Sequence, residues 1–180
     1  MESKFCDKLI LIGFMGTGKS SVSRLLAEQL GCIRVDVDEE IERVENKTVA
    51  TIFENKGEEN FREIESQVLH GLLTNPGSSV IATGGGAVLR EINRKVMLEK
   101  GYVVALKASP DQIISRVIND ESRPLLNGDV KNRVYSLLEQ RKTAYDFAHM
   151  AIDTTELSVE DVVANIVREW HHYSSSNKSK

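Results

Sequence analysis

The chain has 180 residues, of which 41% are hydrophobic and 28% are charged, the size and composition of one ordinary globular domain. Its net charge of −4 argues against a nucleic acid as the main partner, because such partners usually require a basic surface. No apolar run approaches the length of a membrane span, and the two cysteines are too few for a disulfide framework. The start of the chain also lacks a secretory signal pattern, so we expect a cytoplasmic protein with reduced thiols.

Predicted strands and helices alternate along the chain. Short apolar runs predict buried strands at 8–12, 33–37, 78–82, 101–106 and 149–152. Helical spacing of apolar residues predicts helices at 20–30, from 38 onward, at 48–73 with a break at Gly57, and at 110–119, 130–144 and 159–170. This alternation requires right-handed crossovers and a parallel sheet covered on both faces. We therefore predict an α/β fold, a three-layer α/β/α sandwich of about five parallel strands in one domain at 1–173, followed by a disordered tail at 174–180.

The sharpest motif is GFMGTGKS at residues 13–20, which fits the phosphate-binding pattern GxxxxGKS and lies between the first predicted strand and helix. Glycines let such a loop wrap closely around a polyphosphate with its N–H groups turned inward, and the helix start adds a positive dipole. In this pattern the lysine reaches the β and γ phosphates, and the serine hydroxyl binds Mg²⁺. The motif alone does not distinguish a kinase from a GTPase or an ATP-driven motor. The predicted ATP-binding residues of this loop are Gly16, Thr17, Gly18, Lys19, Ser20 and Ser21.

Two aspartates stand at the predicted end of the second strand. Asp36 and Asp38 are two residues apart, so the strand period places both carboxylates on one side, at the edge where parallel α/β folds bind ligands. One carboxylate is suited to hold a Mg²⁺-bound water, and the other to take a hydrogen bond and a proton from an acceptor hydroxyl. The alternative is that Asp38 only caps the following helix, together with Glu39 and Glu40 near its positive end.

Glycines and arginines mark the rest of the predicted site. Three consecutive glycines at 84–86 leave the backbone open to direct ligand contact, unless they form only a flexible turn. Arg62, Arg123 and Arg141 each read as a solvated charge when taken alone, and together they suit the two-pronged binding of carboxylate and phosphate. The residues around Arg123 interrupt the helical pattern, which predicts a mobile, water-excluding lid at about 117–129.

The order and spacing of these motifs resemble the shikimate kinase family. That family's phosphate loop, DxD pair, FRxxE segment, GGG turn and RPLL lid stand here at 13–20, 36–38, 61–65, 84–86 and 123–126. The match covers about 8–167, nearly the whole chain. It implies the P-loop NTPase fold of the nucleoside monophosphate kinase type, with a substrate-binding helical region at about 38–73.

The resemblance also implies a reaction and a role for individual residues. The reaction is Mg²⁺-dependent transfer of the ATP γ-phosphoryl group to the 3-hydroxyl of shikimate, a step toward chorismate and the aromatic amino acids, carried out by a monomer. The residues implied to bind shikimate are Asp38, Arg62, Gly84, Gly85, Gly86 and Arg141. Those implied to contact ATP outside the loop are Arg116, beside the adenine, and Arg123, from the lid. The implied catalytic residues are Lys19, Asp38 and Arg123, and the implied metal ligands are Ser20 and, through water, Asp36.

Other functions remain open from the sequence. A kinase of the same fold for another small hydroxy acid, such as gluconate, would need similar contacts to hydroxyls and a carboxylate. A nucleoside monophosphate acceptor would need a base-stacking pocket and more arginines than the 48–73 region contains. A non-catalytic binding module would be expected to lack Lys19, Asp38 or one of the arginines, all of which are present. A regulatory GTPase is disfavoured because the chain has no NKxD-type segment.

Overall fold

A computed structural model describes residues 8–118 and 129–177 of the chain, and describes no side chains at 176 and 177. The elements within these ranges are, in chain order, β1 (Lys8–Gly13), α1 (Lys19–Leu30), β2 (Ile33–Asp36), α2 (Val37–Glu45), α3 (Val49–Thr74), β3 (Ser79–Ala82), a 3-10 turn (Ala87–Leu89), α4 (Glu91–Lys100), β4 (Tyr102–Lys107), α5 (Pro110–Val117), α6 (Val130–Gln140), β5 (Met150–Asp153) and α7 (Val159–Asn177). None of the helices in the described ranges is both long enough and apolar enough to span a membrane.

The strands form one sheet in the order β2-β3-β1-β4-β5, and every neighbouring pair is parallel. Ala82 at the end of β3 pairs with Asp36 on one side and with Leu11 on the other. The loops that leave β1, β2 and β3 therefore meet at one edge of the sheet, which is the carboxyl edge where open α/β folds bind ligands. The predicted α/β sandwich with about five parallel strands is confirmed.

Both faces of the sheet are buried, and the alternation of side chains along β1 shows why. Leu9 and Leu11 point to one face and pack with apolar residues of α1 and α7. Ile10 and Ile12 point to the other face and pack with α2 to α6. Because successive strand residues face opposite sides, a strand buried on both sides needs a continuous apolar run. The run that predicted β1 thus also predicted the two helical layers.

Several predicted boundaries differ from the structure. The second strand ends at Asp36, because Val37 already begins α2. Helix α4 was missed, since only a few of its side chains, among them Val96 and Met97, are apolar and buried. Helix α7 extends to Asn177, so the predicted disordered tail at 174–180 is corrected for 174–177. Most of the predicted lid at 117–129 lies outside the described residues.

The predicted break in the long third helix is confirmed. Gly57 has φ 77° and ψ 171°, which interrupts α3 without ending it. A positive φ of this kind favours glycine, because a side chain there would crowd the backbone. The kink divides α3 into a segment that follows α2 and a segment that carries Phe61, Arg62 and Glu65 into the interior.

Candidate active site

The first wall of the site is the loop between β1 and α1. Gly16 and Gly18 have φ values of 76° and 97°, so the loop turns through conformations that favour glycine. Gly18 is also the N-cap of α1, and no side chain caps the helix there. A Cβ at Gly18 would meet nothing within 4 Å. The start of α1 therefore offers backbone N–H groups and open space to a phosphate group, as the motif predicted.

Lys19 lies across this loop. Its Nζ donates hydrogen bonds to the carbonyl oxygens of Gly13 and Phe14, at 2.8 and 2.9 Å. Ser20 and Ser21 are exposed at the start of α1 and line the same cavity as Lys19. A lysine held by neutral carbonyl groups can exchange them for phosphate oxygens, because a hydrogen bond between two charged groups is stronger.

The remaining predicted ATP contacts divide into three cases. Arg116 of α5 donates from Nη1 to the Gly16 carbonyl at 2.9 Å and lines the cavity. The Thr17 side chain is buried and donates to the Phe14 carbonyl at 2.7 Å, and Thr17 is not among the residues that line the cavity. Arg123 lies outside the described residues.

The two aspartates converge, although not for the reason that the sequence suggested. Asp36 ends β2, whereas Asp38 lies in the first turn of α2, so the strand period does not relate them. Asp36 is the N-cap of α2 and accepts from the Asp38 amide at 3.1 Å, so the alternative that Asp38 caps this helix is wrong. The second oxygen of Asp36 accepts from Arg34 Nη2 at 3.1 Å. Both aspartates line the cavity that also contains Ser20.

The three glycines of the turn after β3 admit charged side chains of the protein itself. A Cβ at Gly84 would lie 2.8 Å from Glu65 Oε1 and 3.0 Å from Asp38 Oδ1. At Gly86 it would lie 2.3 Å from Arg62 Nη2. The glycines thus bring Asp38, Glu65 and Arg62 against one stretch of backbone, a close approach that any side chain would prevent.

Glu65 is a central residue of this cluster that the sequence interpretation did not assign. It has no exposed surface, and its Oε2 accepts from Arg62 Nη1 at 2.7 Å. Burial raises the pKa of Glu65, the nearby Asp38 raises it further, and Arg62 and Arg141 lower it. Its Oε1 has no hydrogen-bond partner among the described residues. The FRxxE spacing was the available signal, because residues three apart on a helix lie on one face.

Arg141 reaches the cluster from the segment after α6. Its side chain is buried, and its guanidinium lies over the Phe14 ring with 5.8 Å between Cζ and the ring centroid. Four residues on, the Tyr145 hydroxyl donates to the Gly85 carbonyl at 2.7 Å and ties this segment to the glycine turn. Arg141, like Arg62, lowers the pKa of the buried Glu65 carboxyl group.

One cavity of about 240 Å³ joins the loop after β1 to the aspartates and the glycine turn. The predicted site residues that line it are Gly16, Gly18, Lys19, Ser20, Ser21, Asp36, Asp38, Gly84, Gly85 and Arg116. Arg62 and Arg141 are only 7% and 5% exposed and are not part of its lining. The volume is below the 300 Å³ or so at the lower end of ordinary ligand sites. Because Arg62 and Arg141 are buried, the end of the site that carries them is closed to solvent in this structure.

Comparisons with known proteins agree with this geometry. The family profile described as "Shikimate kinase" matches residues 15–171. A shikimate kinase of Thermodesulfovibrio yellowstonii is 41% identical over 93% of this chain and 96% of its own. A shikimate kinase of Pelotomaculum thermopropionicum is 42% identical over 92% and 97%.

Solved structures give the same result. A shikimate kinase from Acinetobacter baumannii in complex with shikimate superposes with a TM-score of 0.90 at 36% identity, covering 98% of this chain and 97% of the other. A gluconokinase from Sinorhizobium meliloti shares the fold, with a TM-score of 0.65 at 15% identity and 97% of each chain covered. The profile match and the identity over nearly the full length show that the chain belongs to the shikimate kinase family, whose members are ATP-dependent kinases.

Proposed function

We propose that this chain transfers the γ-phosphoryl group of ATP to the 3-hydroxyl of shikimate, forming shikimate 3-phosphate and ADP. The observation that carries the proposal is the single cavity in which a phosphate-binding helix start with Lys19 faces Asp38 and the glycine turn. Membership of the family and the likeness to a shikimate-bound relative support the choice of acceptor. The low identity to the gluconokinase supports only a common fold.

On the nucleotide side, the loop after β1 binds the polyphosphate through its backbone N–H groups. Lys19 exchanges its contacts with Gly13 and Phe14 for oxygens of the β and γ phosphates. Because its positive charge stays next to the transferring group, it stabilises the charge that develops there. Arg116, which is tied to the loop through Gly16, lies at the nucleotide end of the cavity, and we assign it to the adenine side.

The oxygen groups in the cavity fit a magnesium ion. Ser20 and Asp36 line the same space, and Mg²⁺ prefers oxygen ligands, few protein groups and several retained waters. No group of three or more acidic, histidine or cysteine side chains within the described ranges is arranged to hold a metal. We propose that the Ser20 hydroxyl binds the ion and that Asp36 holds one of its waters. When bound, the ion would neutralise negative charge on the β and γ phosphates.

On the acceptor side, Asp38 orients the reacting hydroxyl and accepts its proton as the new bond to phosphorus forms. Its place in the first turn of α2 points it at the same space as Lys19. Arg62 and Arg141 bind the acceptor carboxylate, for which two guanidinium groups give matching two-pronged geometry. Buried Glu65 keeps Arg62 in place through the contact of 2.7 Å. Since both halves of the site come from one chain, we propose that a monomer is active. Light scattering under turnover conditions tests this by measuring the molar mass of the active protein.

The proposal is tested by ADP release from purified protein with ATP and Mg²⁺, offering shikimate, gluconate, a nucleoside monophosphate or no acceptor. We expect acceptor-dependent ADP only with shikimate, and phosphorus NMR of the product should place the phosphate on the 3-oxygen. ADP formed only with another acceptor would reject shikimate as the substrate and retain the kinase mechanism. A folded protein that binds ATP but releases no ADP with any acceptor would reject the proposal that the chain is an active kinase.

A further inference from the structure

Arg62 already has two anionic partners before any substrate binds. Its Nη1 donates to Glu65 Oε2 at 2.7 Å, and its Nη2 donates to Glu58 Oε1 at 3.2 Å. Its Nε is buried and has no hydrogen-bond partner among the described residues. The guanidinium that is proposed to bind the acceptor carboxylate is thus partly occupied by acidic residues of its own helix.

The two acidic partners differ in how easily they can leave. Glu65 has no exposed surface, and removing it from Arg62 would leave a buried carboxylate without its hydrogen-bonded ion-pair partner. The Glu58 side chain is 49% exposed, so water can solvate its carboxylate when the contact breaks. The contact between Arg62 and Glu58 is therefore the exchangeable one.

The geometry of arginine shows which contact a carboxylate must take. Two-pronged binding uses two neighbouring nitrogens on one edge of the guanidinium. Glu65 occupies Nη1, so the edge left for a ligand is formed by Nε and Nη2. Nε has no partner among the described residues, and Nη2 is engaged by Glu58. An incoming carboxylate that binds this edge competes directly with Glu58.

We propose that Glu58 is an internal stand-in for the carboxylate of the acceptor, which displaces it from Arg62 on binding. This inference rests on the proposed function, because it takes a carboxylic acid as the acceptor. Glu58 then keeps the charge of Arg62 balanced while the site is empty and lowers the apparent affinity for the acceptor. A binding-competent state that is only partly populated weakens apparent affinity by that fraction.

The backbone next to Glu58 allows this exchange. Glu58 directly follows Gly57, whose φ of 77° and ψ of 171° break the regular helix. A Cβ at Gly57 would meet no atom within 4 Å, so the space beside this bend is open. Glu58 can therefore leave Arg62 through a local change at the kink, without disturbing the buried segment that holds Arg62 and Glu65.

Two substitutions and a matched control test the proposal. Glu58→Gln removes the charge at nearly constant shape, and Glu58→Asp keeps the charge on a side chain one methylene shorter, which weakens its reach to Arg62. Glu59→Gln is the control, because it makes the same change of charge one residue away, on a side chain that is 89% exposed and pairs with Arg90. The dissociation constant for shikimate is measured by calorimetry without nucleotide, and KM and kcat are measured in the ADP-release assay.

We expect Glu58→Gln to lower the dissociation constant and the KM for shikimate by about three- to tenfold, which corresponds to a stand-in that occupies Arg62 for most of the time. Glu58→Asp should shift both constants in the same direction, whereas kcat and the KM for ATP should change less than about twofold in both variants. In the Glu59→Gln control, the dissociation constant and the KM for shikimate should also change less than about twofold. An unchanged or weaker affinity in folded Glu58→Gln would overturn the stand-in role and leave the kinase function intact. If the unaltered chain does not phosphorylate shikimate, the proposed function fails. The comparison of shikimate affinities by calorimetry then still tests whether Glu58 acts as a stand-in, and absence of shikimate binding would reject that role.

Discussion

Gly86→Ala tests whether the glycine turn exists to make room for Arg62. The backbone at Gly86 has φ −99° and ψ −4°, which alanine adopts without strain. The added Cβ would nevertheless lie 2.3–2.5 Å from three guanidinium atoms of Arg62, whereas ordinary contacts begin at 3.4 Å. The guanidinium must therefore move by about 1 Å away from a buried position.

The size of the effect follows from what that movement breaks. Forcing extra volume into a packed interior typically costs about 1–3 kcal/mol of folding free energy. A displaced Arg62 would also lose its aligned contacts with the acceptor carboxylate, and a hydrogen bond to a charged group contributes about 1.5–3 kcal/mol. We therefore expect a folded protein whose dissociation constant for shikimate rises by about 10- to 100-fold.

The assay combines calorimetry with shikimate, calorimetry with ADP and urea unfolding. Gly71→Ala is the matched control, because Gly71 lies inside α3 and a Cβ there would meet nothing within 4 Å. That control should gain about 0.5–1 kcal/mol of stability and bind shikimate normally. Normal shikimate affinity in a folded Gly86→Ala protein would refute the reasoning, as would equal losses of affinity for shikimate and ADP.

Three further predictions concern Lys19, Asp36 and the partly desolvated side chain of His149. Lys19→Ala should lower kcat by about a hundredfold or more with unchanged urea unfolding, since it removes positive charge beside the transferring phosphoryl group, and near-normal turnover would reject that role. Asp36→Asn still caps α2, so it should cost less than about 1 kcal/mol of stability while raising the Mg²⁺ concentration needed for half-maximal activity, and an unchanged Mg²⁺ titration would contradict the assignment. Burial lowers the pKa of His149 below its ordinary 6.5, and its Nδ1 accepts from the Val103 amide at 3.0 Å, so the folded state binds fewer protons than the unfolded chain. The contribution of His149 to stability should thus be present above about pH 6.5 and be lost as the pH falls below that value. The free energy of unfolding, measured in urea from pH 5 to 8, should therefore depend less on pH in His149→Asn than in the unaltered chain.

Local patterns were sufficient for much of the fold and for the nucleotide end of the site. The apolar runs and helical spacings predicted the strand-helix alternation, and a strand buried on both faces predicted the layers. The loop at 13–20 is contiguous, and its positive φ values fall on Gly16 and Gly18, glycines that belong to the motif itself. Such features can be predicted from one sequence because the interactions that produce them lie within a few residues.

Asp36 and Asp38 show where local patterns predicted the right place for the wrong reason. The strand period assumed that both residues belong to β2, whereas the helix begins at Val37. Asp36 can accept from the Asp38 amide only because the chain turns there. The convergence of the two carboxylates is therefore a property of a helix start rather than of a strand, and spacing does not separate these two cases.

The sequence by itself determined the phosphate loop, the parallel α/β class and, through the order of its motifs, the family. Only the tertiary structure decided how the acceptor end is assembled: that Glu65 is buried against Arg62, that Gly86 admits the guanidinium, and that Tyr145 is tied to Gly85 across 60 residues of chain. The helical spacing of Glu58, Arg62 and Glu65 is visible in the sequence, but their burial and their approach to the glycine turn are not. Burial and close approach depend on sheet register and packing between residues far apart in the chain, whereas a sequence pattern reports only near neighbours.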